Sequence, residues 1–183
     1  MHNDIDTILI STDEIQAGLI RTGKEITAYY GGDEFTAVGV LKGAVVFMAD
    51  LVRNIDAHLE MAFVGASSYR EGTTSGKLEL NFFPHEGEIK GRRILLMDDI
   101  LDTGRTMSAL KAEFLERGAA EVKTCVFLDK PSRRAVDMEA DFRCFEVDDL
   151  FVVGYGLDYA GRYRNLPFVG ALKSAVYEAA ASC

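Results

Sequence analysis

Residues 94 to 106, Ile94-Leu95-Leu96-Met97-Asp98-Asp99-Ile100-Leu101-Asp102-Thr103-Gly104-Arg105-Thr106, constrain the fold more than any other stretch of the chain. Four apolar residues after Arg92-Arg93 are too few for a helix and suit a strand buried on both faces, ending where the acids begin. Met107, Leu110 and Phe114 follow at spacings of three and four, so a helix starts near Thr106 with its N-terminus toward the intervening loop. Such a terminus offers unpaired backbone N–H groups and about half a positive charge. Gly104 lets a ligand approach the backbone closely, and Thr103 and Thr106 add hydroxyl donors, so the loop suits a phosphate. Asp98, Asp99 and Asp102 would repel a bare phosphate unless they face something else. Asp98 and Asp99 can accept hydrogen bonds from a vicinal diol or hold Mg²⁺ through oxygen, while Asp102 points at whatever the sugar carries. Phosphate, sugar and metal together describe a nucleotide-like ligand.

The flanking sequence repeats the alternation of strand and helix. Ser11-Thr12-Asp13-Glu14 has capping-box spacing, and Ile15, Leu19, Thr22, Ile26 and Tyr30 follow at helical spacing up to Gly31-Gly32. Residues 35–41 read as a buried strand, Lys42-Gly43 as a tight loop, and 44–55 as a helix whose apolar stripe is core. Strands are expected at 61–66 and, half-exposed, at 77–82, with a polar segment rich in Gly, Ser and Thr between them. Gly118 ends the central helix and 122–128 forms the next strand, so the sheet is parallel there. Asp129-Lys130-Pro131 then sits at a C-terminal strand edge, where α/β sheets bind ligands. Two short strands at 142–147 and 151–156 flank Asp148-Asp149, and 157–167 is a polar, aromatic return. By composition alone, Lys42-Gly43 is an ordinary turn, Lys130 a surface lysine and the 67–76 segment a hairpin tip.

With 183 residues and 48% hydrophobic content, the chain can bury one good core, and no linker divides it, so 1–183 reads as one domain. An acidic N-terminus and the shortness of every apolar run show neither a secretory signal nor an anchor, from which a soluble, cytoplasmic protein with no membrane partner is expected. Cys125, Cys144 and Cys183 lack metal-ligand spacing and fit reduced thiols. A net charge of −9 argues against a general nucleic-acid surface. The adjacent basic pairs Arg92-Arg93 and Arg133-Arg134 read as solvated turn residues. His2, His58 and His85 have no Cys or carboxylate partner at motif spacing, which sets aside hydrolytic triads and zinc.

The 94–106 stretch resembles the phosphoribosyl pyrophosphate signature of the phosphoribosyltransferases, with Asp98-Asp99 where the family usually carries Glu-Asp. Further along, Phe151-Val152-Val153-Gly154-Tyr155-Gly156-Leu157-Asp158-Tyr159 with Tyr163-Arg164-Asn165-Leu166-Pro167 is similar to the base and metal segment of the hypoxanthine-guanine branch. The resemblance implies the type I fold: a mostly parallel central sheet flanked by helices, with a small cap formed from the chain ends. It implies that Asp98, Asp99, Thr103, Gly104, Arg105 and Thr106 bind the sugar phosphate, and that Leu41-Lys42-Gly43 is the pyrophosphate loop, whose Leu-Lys peptide tends to be strained or cis. Ser68-Tyr69 and the residues after it would be a mobile lid over the reacting centre. Lys130 would donate to the exocyclic oxygen of the purine, Phe151 would stack on it, and the backbone of Val152 would read its edge. Asp158, with Asp98 and Asp99, would hold Mg²⁺, Arg164 would bind pyrophosphate, and Asp102 would be the catalytic residue at purine N7. The implied substrates are phosphoribosyl pyrophosphate and a 6-oxopurine, the implied products IMP or GMP, and the implied assembly a homodimer or homotetramer. Two rivals share elements of this pattern. A phosphoryl-accepting receiver domain carries its acid pair near the start of the domain, whereas Asp98 lies past the middle of this chain. A nucleotide-binding regulator of RNA on the same fold is disfavoured by the acidic balance and the purine-type segment.

Overall fold

The computed structural model describes residues 2–68 and 78–178, with side chains described for 3–65 and 81–177. In chain order the elements are β1 (Ile5–Ile10), α1 (Thr12–Tyr30), β2 (Phe35–Leu41), α2 (Ala44–Leu51), β3 (Leu59–Ser68), β4 (Leu78–Phe82), α3 (Glu86–Ile89), β5 (Arg93–Leu101), α4 (Arg105–Glu116), β6 (Glu121–Asp129), β7 (Phe142–Glu146), β8 (Val152–Val153), β9 (Val169–Leu172) and α5 (Ser174–Glu178). Six strands form the main sheet in the order β4-β3-β2-β5-β6-β7, parallel throughout except where β4 meets β3.

That order contains a reversal. From β2 the chain steps outward through β3 to β4, returns to lay β5 on the other side of β2, and then steps outward again through β6 to β7. In an open α/β sheet such a reversal leaves a crevice outside the carboxyl ends of the two strands, here β2 and β5. The sheet is covered on both faces, so its central strands are apolar on both. Phe35, Ala37, Leu95 and Met97 face a core shared with Leu19, Ile26, Phe47 and Met48 of α1 and α2. Val38, Val40, Ile94 and Leu96 face the other, shared with Met107, Leu110 and Phe114 of α4. This is the period of two expected of a strand, written twice in apolar residues.

The two ends of the described chain meet in a smaller antiparallel sheet, β1-β9-β8, packed on Val153, Tyr163, Leu166, Phe168 and Leu172. The Tyr163 hydroxyl donates to Asp4 Oδ2 at 3.0 Å and Lys173 Nζ donates to the Asn3 carbonyl at 2.8 Å, tying the ends together. The expected cap is therefore present, and the α/β class with a mostly parallel sheet is the observed one.

Several boundaries differ from the expectation, β3 among them, which runs over Leu59–Ser68 and not 61–66. β5 does not stop at the acids but runs on to Leu101, because its ladder to β6 continues through Asp98↔Val126, Ile100↔Leu128 and Leu101↔Asp129. α2 ends at Leu51 and gives way to a 3-10 turn over Val52–Asn54 before Ile55 turns extended. β8 is confined to Val152–Val153 because Gly154, Tyr155 and Gly156 all take positive φ, a run that no strand accommodates. Among the described residues no helix is long and apolar enough to cross a membrane.

Candidate active site

Three loops converge on the crevice between β2 and β5. The first is Lys42-Gly43, where the chain leaves β2 and enters α2; the Leu41-Lys42 peptide is cis and Lys42 is exposed. Gly43 is buried, and a Cβ placed on it would overlap the Asp99 carboxylate. A Cβ on Gly156 would in turn overlap the Gly43 carbonyl. Only glycines permit this approach, and it puts the β2 turn, the acid pair and the 154–158 segment in contact.

Asp98 and Asp99 occupy the last part of β5, half-buried, with the Asp99 N–H donating to Asp98 Oδ1 at 2.9 Å. Burial first, and the charge of Asp99 second, push Asp98 well above the usual carboxylate range. Burial also raises Asp99, against the lowering effects of its hydrogen bond to Asp98 and of the Arg164 charge. Asp158 bears on Asp99 as well, and Arg164 Nη2 pairs with Asp158 Oδ1 at 2.6 Å while its Nη1 donates to the Gly156 carbonyl at 2.6 Å. Asp99, Asp158, Arg164 and Gly43, distant in sequence, thus form one cluster. Among the described residues no group of three or more His, Cys, Asp or Glu side chains is arranged to hold a metal ion.

The loop after β5 lines a cavity of about 310 Å³ with Asp102, Thr103, Gly104 and Thr106. Gly104, at φ 81°, turns the chain into α4, which starts at Arg105 as the spacing of its apolar residues implied. The Arg105 N–H donates to Thr103 Oγ1 at 3.5 Å, and the Arg105 side chain is exposed. The cavity therefore opens onto the amino end of a helix, a place that favours an anion.

The far side of this loop faces Lys130, at the end of β6. Lys130 is buried, with Nζ donating to the Leu150 carbonyl at 2.5 Å and lying 4.0 Å from Asp149 Oδ1. Burial lowers its pKa, and the charges of Asp102 and Asp149 oppose that. Asp102 Oδ1 accepts from Arg133 Nε at 3.0 Å, and Arg133 Nη1 reaches Asp149 Oδ2 at 3.4 Å. Arg134 Nη1 donates to the carbonyls of Leu101 at 2.8 Å and Asp102 at 2.5 Å, and its Nη2 pairs with buried Asp129. This pins the β5 loop to the end of β6. Of the pair Arg133-Arg134, expected as solvated turn residues, Arg133 is exposed while pairing with Asp102 and Asp149, whereas Arg134 departs from the expectation with a side chain only 15% exposed. Phe151, 41% exposed, stacks on Tyr177 of α5 at 5.0 Å and meets Tyr159 edge-on at 5.4 Å. Val152 is buried in β8 beside it, opposite Ala171.

Of the other anticipated residues, Ser68 closes β3 and Tyr69 lies outside the described residues, as does most of the expected lid. Arg133, Arg134 and Asp149 were missed. The signal available for them was position: two arginines within four residues of Lys130, and an acid two residues before Phe151.

A family model described as a phosphoribosyl transferase domain matches residues 11–160. The chain is 50% identical over 179 residues to the hypoxanthine-guanine phosphoribosyltransferase of Bacillus subtilis (strain 168), a match covering 97% of this chain and 99% of that one. Among solved structures, a hypoxanthine phosphoribosyltransferase from Staphylococcus aureus superposes with a TM-score of 0.87 at 38% identity, covering 97% of this chain and 96% of that one. A variant of the hypoxanthine phosphoribosyltransferase from Trypanosoma cruzi, bound to the product IMP, superposes with a TM-score of 0.89 at 30% identity, covering 98% and 96%. With a matched model over most of its length and half its residues shared with such a relative, the chain belongs to the phosphoribosyltransferase family, in its hypoxanthine-guanine branch.

Proposed function

We propose that this chain transfers phosphoribose from phosphoribosyl pyrophosphate to N9 of hypoxanthine or guanine, releasing IMP or GMP and pyrophosphate, with the residues gathered at the β2–β5 crevice performing the chemistry. One observation carries this most directly: the helix-capped loop, the acid pair and Lys42-Gly43 meet at the reversal of the sheet, with Lys130 at the neighbouring strand end. The 5′-phosphate would sit in the Thr103–Thr106 loop, where backbone N–H groups and two hydroxyls face it. Asp98 and Asp99 would accept from the ribose hydroxyls. Lys42 and Arg164 would take the pyrophosphate, Arg164 with the N–H groups left after its bonds to Asp158 and Gly156.

Breaking the anomeric C–O bond leaves an oxocarbenium-like sugar, so the protein has mainly to hold the sugar and stabilise the departing charge. Asp102 would accept the N7 proton as N9 attacks, Lys130 would donate to the 6-oxo group, and Phe151 would stack on the ring beside the Val152 backbone. Ser68 and Tyr69 would help close the site over the reacting atoms and exclude water. Mg²⁺ fits the donor set. Asp98 and Asp99 are crowded carboxylates whose repulsion a dication relieves, and a site without a closed cage of protein ligands suits an ion that keeps waters and takes substrate oxygens. Asp158, Asp98 and Asp99 would hold it, and when bound it supplies positive charge for the leaving pyrophosphate.

The test offers the purified protein phosphoribosyl pyrophosphate and Mg²⁺ with hypoxanthine, guanine, xanthine, adenine and uracil in parallel, quantifying nucleotide and pyrophosphate together. Inosinate or guanylate with equimolar pyrophosphate is expected. No product from any base would reject the reading.

A further inference from the structure

Two residues outside the assigned set join the two groups that would read the base. Asp149 places one carboxylate oxygen 3.4 Å from Arg133 Nη1 and the other 4.0 Å from Lys130 Nζ. Arg133 reaches across with its Nε to Asp102 at 3.0 Å. The result is an alternating chain of charge, Asp102, Arg133, Asp149, Lys130, whose ends are the acceptor for purine N7 and the donor for the 6-oxo group. We propose that Arg133 and Asp149 are positioning residues that hold Asp102 and Lys130 as one donor–acceptor pair and so set the preference for a 6-oxopurine over a 6-aminopurine. This rests on the transferase reading above.

The chemistry is local. Lys130 is buried, with its ammonium donating to the Leu150 carbonyl, and burial works against its charge. The charged groups facing it are Asp102 from the β5 loop, Asp149 from the segment before β8, and Arg133 from the turn after β6; the two acids favour the ammonium and the arginine opposes it. An ammonium can only donate, so it suits a 6-oxo oxygen and leaves a 6-amino group facing another donor. A neutral amine can also accept, and would tolerate the amino group. Asp149 therefore guards specificity by guarding charge. Arg133 supplies what a lysine in its place cannot, a planar fork that spans two carboxylates at once.

The experiment compares wild type, Asp149→Asn, Arg133→Gln and the double variant. It measures kcat/KM for hypoxanthine across the alkaline limb of the pH profile, the hypoxanthine-to-adenine ratio, and KM for phosphoribosyl pyrophosphate. Removing Asp149 takes away one of the two charges that favour the Lys130 ammonium, so the alkaline limb should move to lower pH. The preference for hypoxanthine should fall where that limb now lies and hold at lower pH, where the ammonium remains fully formed in both proteins. KM for phosphoribosyl pyrophosphate should hold, because its proposed contacts lie elsewhere. Arg133→Gln should raise the KM for hypoxanthine alone, and the double variant should lose less than the sum of the single ones. If Asp149→Asn fails to fold, Arg133→Gln carries the test on that KM split. An active wild type with an unmoved alkaline limb and unmoved base preference in Asp149→Asn, or strictly additive losses, overturns the inference. An inactive wild type overturns the transferase reading beneath it.

Discussion

Asp102 already shares an arginine with Asp149, and its carboxylate is only half-buried. Its proposed task is to accept one proton in the transition state, which gives it little part in holding the sugar phosphate. Asp102→Asn keeps the shape and removes the base. Turnover is expected to fall by about a hundredfold or more, the range of general-base catalysis, with KM for phosphoribosyl pyrophosphate little changed. Steady-state kinetics with each substrate varied separately checks this, and unchanged turnover would remove Asp102 from the mechanism. Some of these side chains were legible because they sit inside dense motifs: Asp102 beside Thr103-Gly104, Phe151 at the head of a long apolar and glycine run. Arg133, Arg134 and Asp149 were not. A pair of like charges in a turn has the same appearance whether it faces water or a buried acid, and Asp129, which Arg134 neutralises, was read only as the start of the turn after the strand, though β6 runs through it.

At the level of elements, local signals with a mechanism located the boundaries well. Ser11 accepts from the Glu14 N–H at 3.4 Å while Glu14 accepts from the Ser11 N–H at 2.8 Å, and Gly31 ends α1 at φ 59°. Ser11→Ala should therefore cost about 1 kcal/mol of stability and leave turnover unchanged, as chemical denaturation followed by assay would show; a loss of activity without loss of stability would place α1 in the site. Boundaries set by ligand chemistry were harder to locate. An apolar run marks where a strand is buried, and it ends at Met97, but the backbone ladder of β5 is indifferent to side chains and continues for four more residues to Leu101. The continuation carries Asp98 and Asp99 to the crevice on a rigid strand. In β8 the opposite happened, with apolar residues suggesting a longer strand than the positive φ angles at 154–156 permit. That tight turn brings Gly156 against Gly43 and so closes the site.

Over the whole molecule, the candidate site joins pieces from β2, β5, β6 and the 154–164 segment, so a ligand that touches all of them should brace the fold. At a concentration of a hundred times its Kd, phosphoribosyl pyrophosphate with Mg²⁺ should add about 2.7 kcal/mol, or roughly 5–10 °C in thermal midpoint for a chain of this size. Thermal melts with and without both components measure it, and no shift at saturating ligand would contradict a site assembled from these strands. The cap has a different logic. Among the described residues β8, which carries Val152, pairs with β9 alone, and β9 pairs with β1. The six strands of the main sheet have all been made by Glu146, whereas β9 is complete only at Leu172. Domains generally fold as units, so the crevice for the sugar phosphate and the face for the base should form together, once β9 has reached β1. Val152, Tyr155, Leu157 and Val169, all past Glu146, pack in one core with Phe47, Met97 and Phe127, so a chain cut short between Glu146 and Leu172 would lose its grip on the sugar phosphate together with its face for the base.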